Sequence, residues 1–357
     1  MINTVPTTTW RIELLHHDTA QAYDVLVADA LCTSLSHTLE WRDLLSDLKM
    51  GDPLYWLAYQ SDELIGALPA FVQRSDLGSV LNSLPFIQST GGVIGRDGLD
   101  REQRASLVEA LVSAMLAWCR SNGVQLACVV GSAFCGQGDD ASYPETPDFR
   151  WERPVRVIDL SQPLILRSGV RGSIIKAERS SPTLRNAGTL DEARLVYNIC
   201  SDSLQRLGVQ PPAWAFYESL FRRAVQRGLA RFSWAEVDGK PVSGVVTLWH
   251  GGIVDYFSAG STEAGREIQA HSWLCYQLLQ AAQSSGFRWW NWMASPSQPV
   301  YDFKKSWGGM DRTYVLTLWR VGDITTLLPL LPEQLHLLYP GYFVLPYTWL
   351  RIPSWIP

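Results

Sequence analysis

The sequence predicts an α/β protein made of two tandem copies of one unit, each a mixed sheet flanked by helices. Three observations carry this. Residues 231–261, RFSWAEVDGKPVSGVVTLWHGGIVDYFSAGS, alternate apolar and polar side chains and break at Asp238-Gly239 and Gly251-Gly252, as antiparallel strands joined by tight turns do. Arg266–Ser285 then sets Ile268, Trp273, Leu274, Leu278, Leu279 and Ala282 at helical spacing, Gly286 stops the helix, and Phe287–Met293 is an aromatic run suited to a buried strand. The first half repeats this order of hairpin, strand, helix and strand, which marks a duplication.

In chain order, Thr9–Leu15 alternates as a first strand, Ala20–Leu31 has helical spacing, and a short helix runs from His37 to Leu48. Tyr55–Gln73 is a hairpin about Ser61-Asp62, and Ser83–Gly95 is a strand with a Gly-rich turn. Arg101–Ser121 is a long amphipathic helix stopped by Gly123, and Val124–Gly131 is a buried strand. Residues 139–150 read as a loop and Trp151–Leu160 as a strand linking the halves. Leu166–Glu178, Asp191–Leu207 and the stretch after Pro212 read as helices. The expected domains are residues 1–160 and 161–324, followed by a tail, 325–357, with Glu333 and Arg351 as its charges. Repeated prolines forbid a regular spanning helix in the tail. It is read either as packing on its own domains or as touching the inner membrane through Trp and Tyr.

Hydrophobic residues at 46% suffice for real cores and exclude a disordered chain. A net charge of -5 argues against DNA binding driven by a global positive field. Six cysteines, at 32, 119, 128, 135, 200 and 275, form no CxxC pair. With no signal-peptide pattern, they predict a reduced, cytoplasmic protein without a metal site. There is no G-x-S-x-G elbow.

Four stretches, in order, resemble the FemAB-like family of the GNAT superfamily. They are RGSIIKAERSSPTL (Arg171–Leu184), PAWAFYESLFRRAVQRG (Pro212–Gly228), AEVDGKPVSGVVT (Ala235–Thr247) and the closing FKKSWGG (Phe303–Gly309). The family holds the peptidoglycan aminoacyltransferases that use aminoacyl-tRNA, and exopolysaccharide-associated acetyltransferases of the CelD/BcsL-like type. The resemblance implies two tandem GNAT-like domains and N-acyl transfer to an amino group of a sugar, sugar-nucleotide or cell-envelope precursor. The gap between Leu207 and Pro212 leaves no room for the coiled-coil arm of tRNA-dependent members. Acyl-CoA is therefore the expected donor. Aminoacyl-tRNA with a peptidoglycan-type acceptor is the alternative, and a non-catalytic scaffold of an exopolysaccharide machine is a third reading.

Acyl transfer asks the protein to align donor and amine, accept a proton and stabilise an oxyanion. The resemblance places Phe303, Lys304 and Lys305 on the donor side, with Lys304 stabilising charge. Donor phosphates suit a helix N-terminus. The candidate is Ser261–Arg266, with Gly265 and Arg266, although Glu263 would repel a pyrophosphate. Candidates for the base are Glu236, Asp255, His250 and His271. Glu236 and Asp255-Tyr256 are expected to face one cleft, with Tyr256 as a hydrogen-bonding residue, whereas His271 is expected to pack or face solvent. His37, Trp41 and Gln88 are acceptor-binding candidates, and Arg171, Lys176, Arg179 and Arg185 form a basic segment able to hold an acceptor phosphate or tRNA.

Overall fold

The structure is a computed structural model and describes residues 9–30, 33–85, 89–134, 143–295 and 297–350. The chain divides into two compact units, residues 1–153 with 313–357, and residues 154–312. In chain order the first stretch gives β1 (Arg11–Leu14), α1 (Ala20–Asp29), α2 (Leu39–Asp47), β2 (Asp52–Gln60), β3 (Glu63–Ser75), β4 (Gly78–Ser83), β5 (Ile94–Gly95), α3 (Arg101–Ser121) and β6 (Leu126–Val130). Next come β7 (Phe149–Asp159), α4 (Ser168–Glu178), β8 (Thr183–Asn186), α5 (Leu190–Arg206), α6 (Trp214–Leu220), β9 (Ala230–Val237), β10 (Lys240–His250) and β11 (Ile253–Ser261). The last elements are α7 (Glu263–Glu267), α8 (Ala270–Ser284), β12 (Trp289–Asn291), α9 (Gln298–Ser306), β13 (Met310–Arg320) and α10 (Pro332–Leu338).

The class is the expected mixed α/β, and the same strand order occurs in both units. In the first, β1-β2-β3-β4 is an antiparallel series, α3 crosses over, β6 returns parallel to β4, and β13 adds antiparallel to β6. In the second, β8-β9-β10-β11 is antiparallel, α7 and α8 cross over, β12 returns parallel to β11, and β7 adds antiparallel to β12. The first unit is thus completed by a strand that follows the whole of the second unit in sequence.

Local chemistry explains the elements. Asp100 caps α3 through the Gln103 N–H at 2.8 Å, and Leu107, Leu111, Met115 and Leu116 bury one face of that helix. The β9–β10 turn has Asp238 and Gly239 at φ 50 and 71°, and the β10–β11 turn has Gly251 and Gly252 at φ 57 and 75°, as two-residue hairpin turns require. Gly244 and Gly260 are paired in register and face α5. A Cβ on Gly260 would stand 2.2 Å from the Ile199 carbonyl oxygen, so this pair of glycines lets α5 lie directly on the strands.

Three sequence expectations change. The helix over 266–285 is two helices, because Gln269 adopts φ 61° between them. The closing motif is not a loop: Phe303–Ser306 form the end of α9. β8 and β13 were not expected at all. The C-terminal segment packs into the first unit, where Leu335, Tyr339, Val344 and Leu345 share a core with Val80, Leu126 and Cys128. No helix among the described residues is long and apolar enough to cross a membrane.

Candidate active site

The two parallel strands of the second unit part after a short pairing. β11 and β12 pair only from Ile253–Trp289 to Asp255–Asn291. Beyond that row β11 continues to Ser261 while β12 ends. In the same place Val246 pairs with Ser258 and Thr247 with Tyr256, so Phe257 is an extra residue, a β-bulge that re-aims the side chains about it. A crevice at the carboxyl ends of diverging parallel strands is where open α/β sheets take ligands.

Alternation along β11 puts Asp255 and Tyr256 on opposite faces. Tyr256 joins the α8 side, its ring 4.9 Å from Trp292 and 6.2 Å from Trp290. Asp255 lies on the other face, beside Asn291. It is 5% exposed, and burial raises its carboxyl to about 7 against a lowering hydrogen bond from Asn291. The expected common cleft with Glu236 is therefore corrected. In register, Thr247 links Tyr256 to Arg231, and Glu236 lies five residues further along β9, roughly 16 Å at strand rise. Glu236 instead pairs with Arg185 at 3.2 Å.

His271 neither packs idly nor faces solvent. Its Nε2 lies 2.6 Å from the Tyr256 hydroxyl and its Nδ1 3.0 Å from Ser243 Oγ. Ser243 donates its one hydrogen to the Gly260 carbonyl at 2.9 Å and accepts from Ser261 Oγ at 3.0 Å. Ser243 is therefore an acceptor for His271, which assigns the proton to Nδ1 and makes Tyr256 the donor to Nε2. Burial lowers His271 to about 4, so the ring is neutral near pH 7. His250 is the last residue of β10, paired in register with Ile253.

Lys304 is 4% exposed on α9 and donates to the carbonyls of Met293 at 3.3 Å and Ala294 at 2.8 Å. Its ammonium is 5.9 Å from the Tyr256 ring centroid. Phe303 packs 5.6 Å from His271 and 5.9 Å from Trp292, while Lys305 is exposed. Trp307, Trp292 and Trp290 are buried together. Their indole N–H groups have no hydrogen-bond partner among the described residues.

Besides Ser243, two residues at this site escaped sequence reasoning. Arg156 of β7 donates through Nε to Gly308 O at 2.7 Å and through Nη2 to Gly309 O at 2.6 Å, and holds the end of the closing motif. Asn291 links Asp255 to the Met293 turn. No local pattern marks Arg156 or the contact of Asn291 with Asp255, because those partners are distant in sequence.

The remaining candidates lie elsewhere. The Gly265 N–H is taken by Thr262 Oγ1 at 3.1 Å, Arg266 donates to Ser261 O at 2.9 Å, and α7 has only five residues. A Cβ on Gly265 would stand 2.0 Å from Val242 O, so this glycine serves packing. His37 is fully buried in the first unit, its Nδ1 accepting from Ser34 N–H at 3.0 Å and its Nε2 facing Gly91 O at 3.1 Å. Trp41 is 1% exposed. Both act as core, and neither offers an acceptor a surface. Arg171, Lys176 and Arg179 are exposed at α4, and Gln88 lies outside the described residues.

Residues 166–305 match the family model "Acetyltransferase (GNAT) domain". No curated protein matches the chain. Among solved structures the chain is similar to FemX, with TM-score 0.69 and 12% identity, covering 91% of this chain and 99% of that one. It is also similar to the C-terminal domain of a putative lysylphosphatidylglycerol synthetase from Agrobacterium fabrum, with TM-score 0.53, 13% identity and coverage of 84% and 91%. A tandem GNAT protein from the clavulanic acid biosynthesis pathway gives TM-score 0.50, 14% identity and coverage of 88% and 99%. Residues 166–305 are thus a GNAT acetyltransferase domain, and the chain has the fold of FemX.

Proposed function

We propose that the chain transfers an acyl group from acyl-CoA to an amino group at the crevice where β11 and β12 part. The acceptor in this reading is a sugar, sugar-nucleotide or cell-envelope precursor, including those of exopolysaccharides. The observation that carries it is Asp255: a buried carboxyl raised to about 7, in the last paired row before the strands diverge and next to a bulge. A general base works best with a pKa near the working pH.

In the reaction the amine nitrogen bonds to the acyl carbonyl carbon and Asp255 takes a proton from that nitrogen. The C–S bond then breaks and the thiolate is protonated, giving amide and free thiol. Lys304 and the Tyr256–His271 pair, on the opposite face, serve the donor side, where an ammonium favours a developing oxyanion. Phe303 and Lys305 complete that side of the reading.

The test is calorimetric binding of a CoA-thioester panel, with free-thiol release on adding amino sugars, for the wild type and Asp255→Asn. Saturable binding with turnover lowered at least ~100-fold in the variant is expected, the usual scale of general-base loss. Unchanged turnover would sink the role of Asp255. Aminoacyl-tRNA as donor is supported by one observation, the engagement of the Gly265 amide by Thr262, which leaves the start of α7 a poor pyrophosphate cradle. Failure of every thioester to bind would move the reading there. Peripheral contact with the inner membrane, from a cytoplasmic location, rests on Leu337, which is 81% exposed on α10. Vesicle co-sedimentation, with and without residues 325–357, tests it.

A further inference from the structure

Asp255 and Lys304 sit on opposite faces of the sheet, yet one side chain touches the support of both. Asn291 Nδ2 donates to Asp255 Oδ1 at 2.8 Å, and Asn291 Oδ1 accepts from Met293 N–H at 3.0 Å. The Met293 N–H can only donate, so the amide oxygen must face it and the nitrogen must face the carboxyl. Met293 is held at φ 59°, a left-handed conformation that costs a non-glycine residue roughly 1–2 kcal/mol and persists only where its surroundings fix it. The carbonyls of this turn, Met293 O and Ala294 O, are the two that receive Lys304 Nζ.

We propose that Asn291 is a positioning residue with two separable duties: its amide nitrogen sets the ionisation of the Asp255 carboxyl, and its amide oxygen fixes the turn on which Lys304 is seated. This deepens the reading of Asp255 as the base and rests on it for its catalytic meaning. The strand order gives the reason for a single residue here. Asn291 is the last residue of β12, so its side chain shares a row with Asp255 while its backbone leads directly into the turn under α9. Ionisable side chains on the elements around β11 include Lys240 and His250 of β10, Tyr197, Cys200, Asp202 and Arg206 of α5, Tyr217 of α6, Glu263, Arg266 and Glu267 of α7, His271, Cys275 and Tyr276 of α8, and Lys304 of α9. None of them contributes to the position of Asp255, which burial raises and Asn291 lowers.

The test crosses two substitutions in the full chain. Asn291→Ser removes the donor to Asp255 but keeps a hydroxyl oxygen that can accept the N–H two residues ahead. Asn291→Ala removes both. With carboxyl-13C aspartate and Asp255→Asn to identify the resonance, the Asp255 midpoint should rise by roughly one pH unit in both Asn291 variants. Exchange of the Met293 amide should stay slow in Asn291→Ser and become at least ~10-fold faster in Asn291→Ala, as loss of about 1.4 kcal/mol of protection implies. An Asp255 midpoint equal in wild type and Asn291→Ser overturns the first duty. Slow Met293 exchange in Asn291→Ala overturns the second. If Asn291→Ala does not fold, Asn291→Val, a strand former that also lacks donor and acceptor, replaces it for the exchange of Met293, and the Ser variant carries the titration alone. Full acyl transfer by Asp255→Asn would remove the base reading without touching either measurement, so the two failures are distinguishable.

Discussion

Replacing Gly309 by alanine should cost the second unit several times what the same change costs at Gly308. The two glycines are neighbours with similar backbones, φ 86° at Gly308 and 76° at Gly309. An alanine at either pays the left-handed penalty of roughly 1–2 kcal/mol. At Gly308 nothing else follows, since the nearest atom to an added Cβ is Ile165 O at 3.6 Å. At Gly309 the Cβ would stand 2.0 Å from Val157 O, 2.9 Å from Val157 C and 3.0 Å from Ile158 Cγ1. The β7 backbone or the motif must retreat by about an ångström, because carbon and oxygen need more than ~3 Å. That movement draws Arg156 away from the two carbonyls it holds at 2.7 and 2.6 Å, bonds to a charged donor worth about 1.5–3 kcal/mol. The expected loss is about 1–2 kcal/mol for Gly308→Ala and about 3–5 kcal/mol for Gly309→Ala. Urea unfolding followed by tryptophan fluorescence measures both from midpoints at equal slope. Variants within about 0.5 kcal/mol of each other would refute the argument that close packing on β7, and not φ alone, requires the second glycine.

Three further outcomes follow from the same site. Asp255, raised from 3.8 to about 7, binds an extra proton in the folded state, so its stabilising contribution is full below the lower value and lost as pH rises through about 7. His271, lowered from 6.5 to about 4, does the reverse: the unfolded chain binds the extra proton, and stability falls as pH drops through that window. Between pH ~4.5 and ~6.5, Asp255→Asn should therefore steepen the rise of stability with pH, and His271→Gln should turn it towards a fall; parallel profiles for the two variants would contradict the assignments. Glu236→Ala should change turnover less than ~2-fold and stability by at most about 1 kcal/mol, because its partner Arg185 is a largely exposed arginine on an edge strand; a large turnover loss would restore Glu236 to the site. Lys304→Met keeps the length of the buried stem but withdraws the donors from Met293 O and Ala294 O, and turnover should fall at least ~10-fold while the far-ultraviolet spectrum is kept; unchanged turnover would make Lys304 a brace only.

What the sequence disclosed was what short-range chemistry decides. Asp238-Gly239 and Gly251-Gly252 located the hairpins because positive φ is a property of those residues themselves. α3 was bounded correctly because its repeat, its Asp100 cap and its Gly123 stop are all local. β13 was missed although Thr313–Trp319 is rich in strand-forming residues, because its partner β6 lies nearly two hundred residues earlier. The same distance explains why a linear split at residue 160 differs from units of which the first takes its last strand from beyond the second. At the site, Lys304 and Tyr256 were named from a motif and a strand, but Asn291, Arg156 and Ser243 were not. Their significance lies in which carbonyl, carboxyl or imidazole the fold sets beside them.

The bulge at Phe257 shows why the site could not be drawn from alternation alone. Below it, Val254 and Tyr256 face α8 and Asp255 faces away. Above it the parity is reversed: Ala259 packs on the α8 side, while Gly260 faces α5. A strictly alternating strand would turn Gly260 to α8 and Ala259 towards α5, where a side chain opposite Gly244 would meet the Ile199 backbone. Both ends of β11 are thus fixed independently, the upper by the glycine pair under α5 and the lower by the Tyr256–His271 hydrogen bond. One extra residue reconciles them. It falls at the row where β12 stops, so the irregularity demanded by packing coincides with the only part of β11 lacking a strand on that edge among the described residues. The early parting of the strands, the buried carboxyl and the tyrosine on the opposite face are consequences of that coincidence, and a functional site here needs no residue that packing has not already placed.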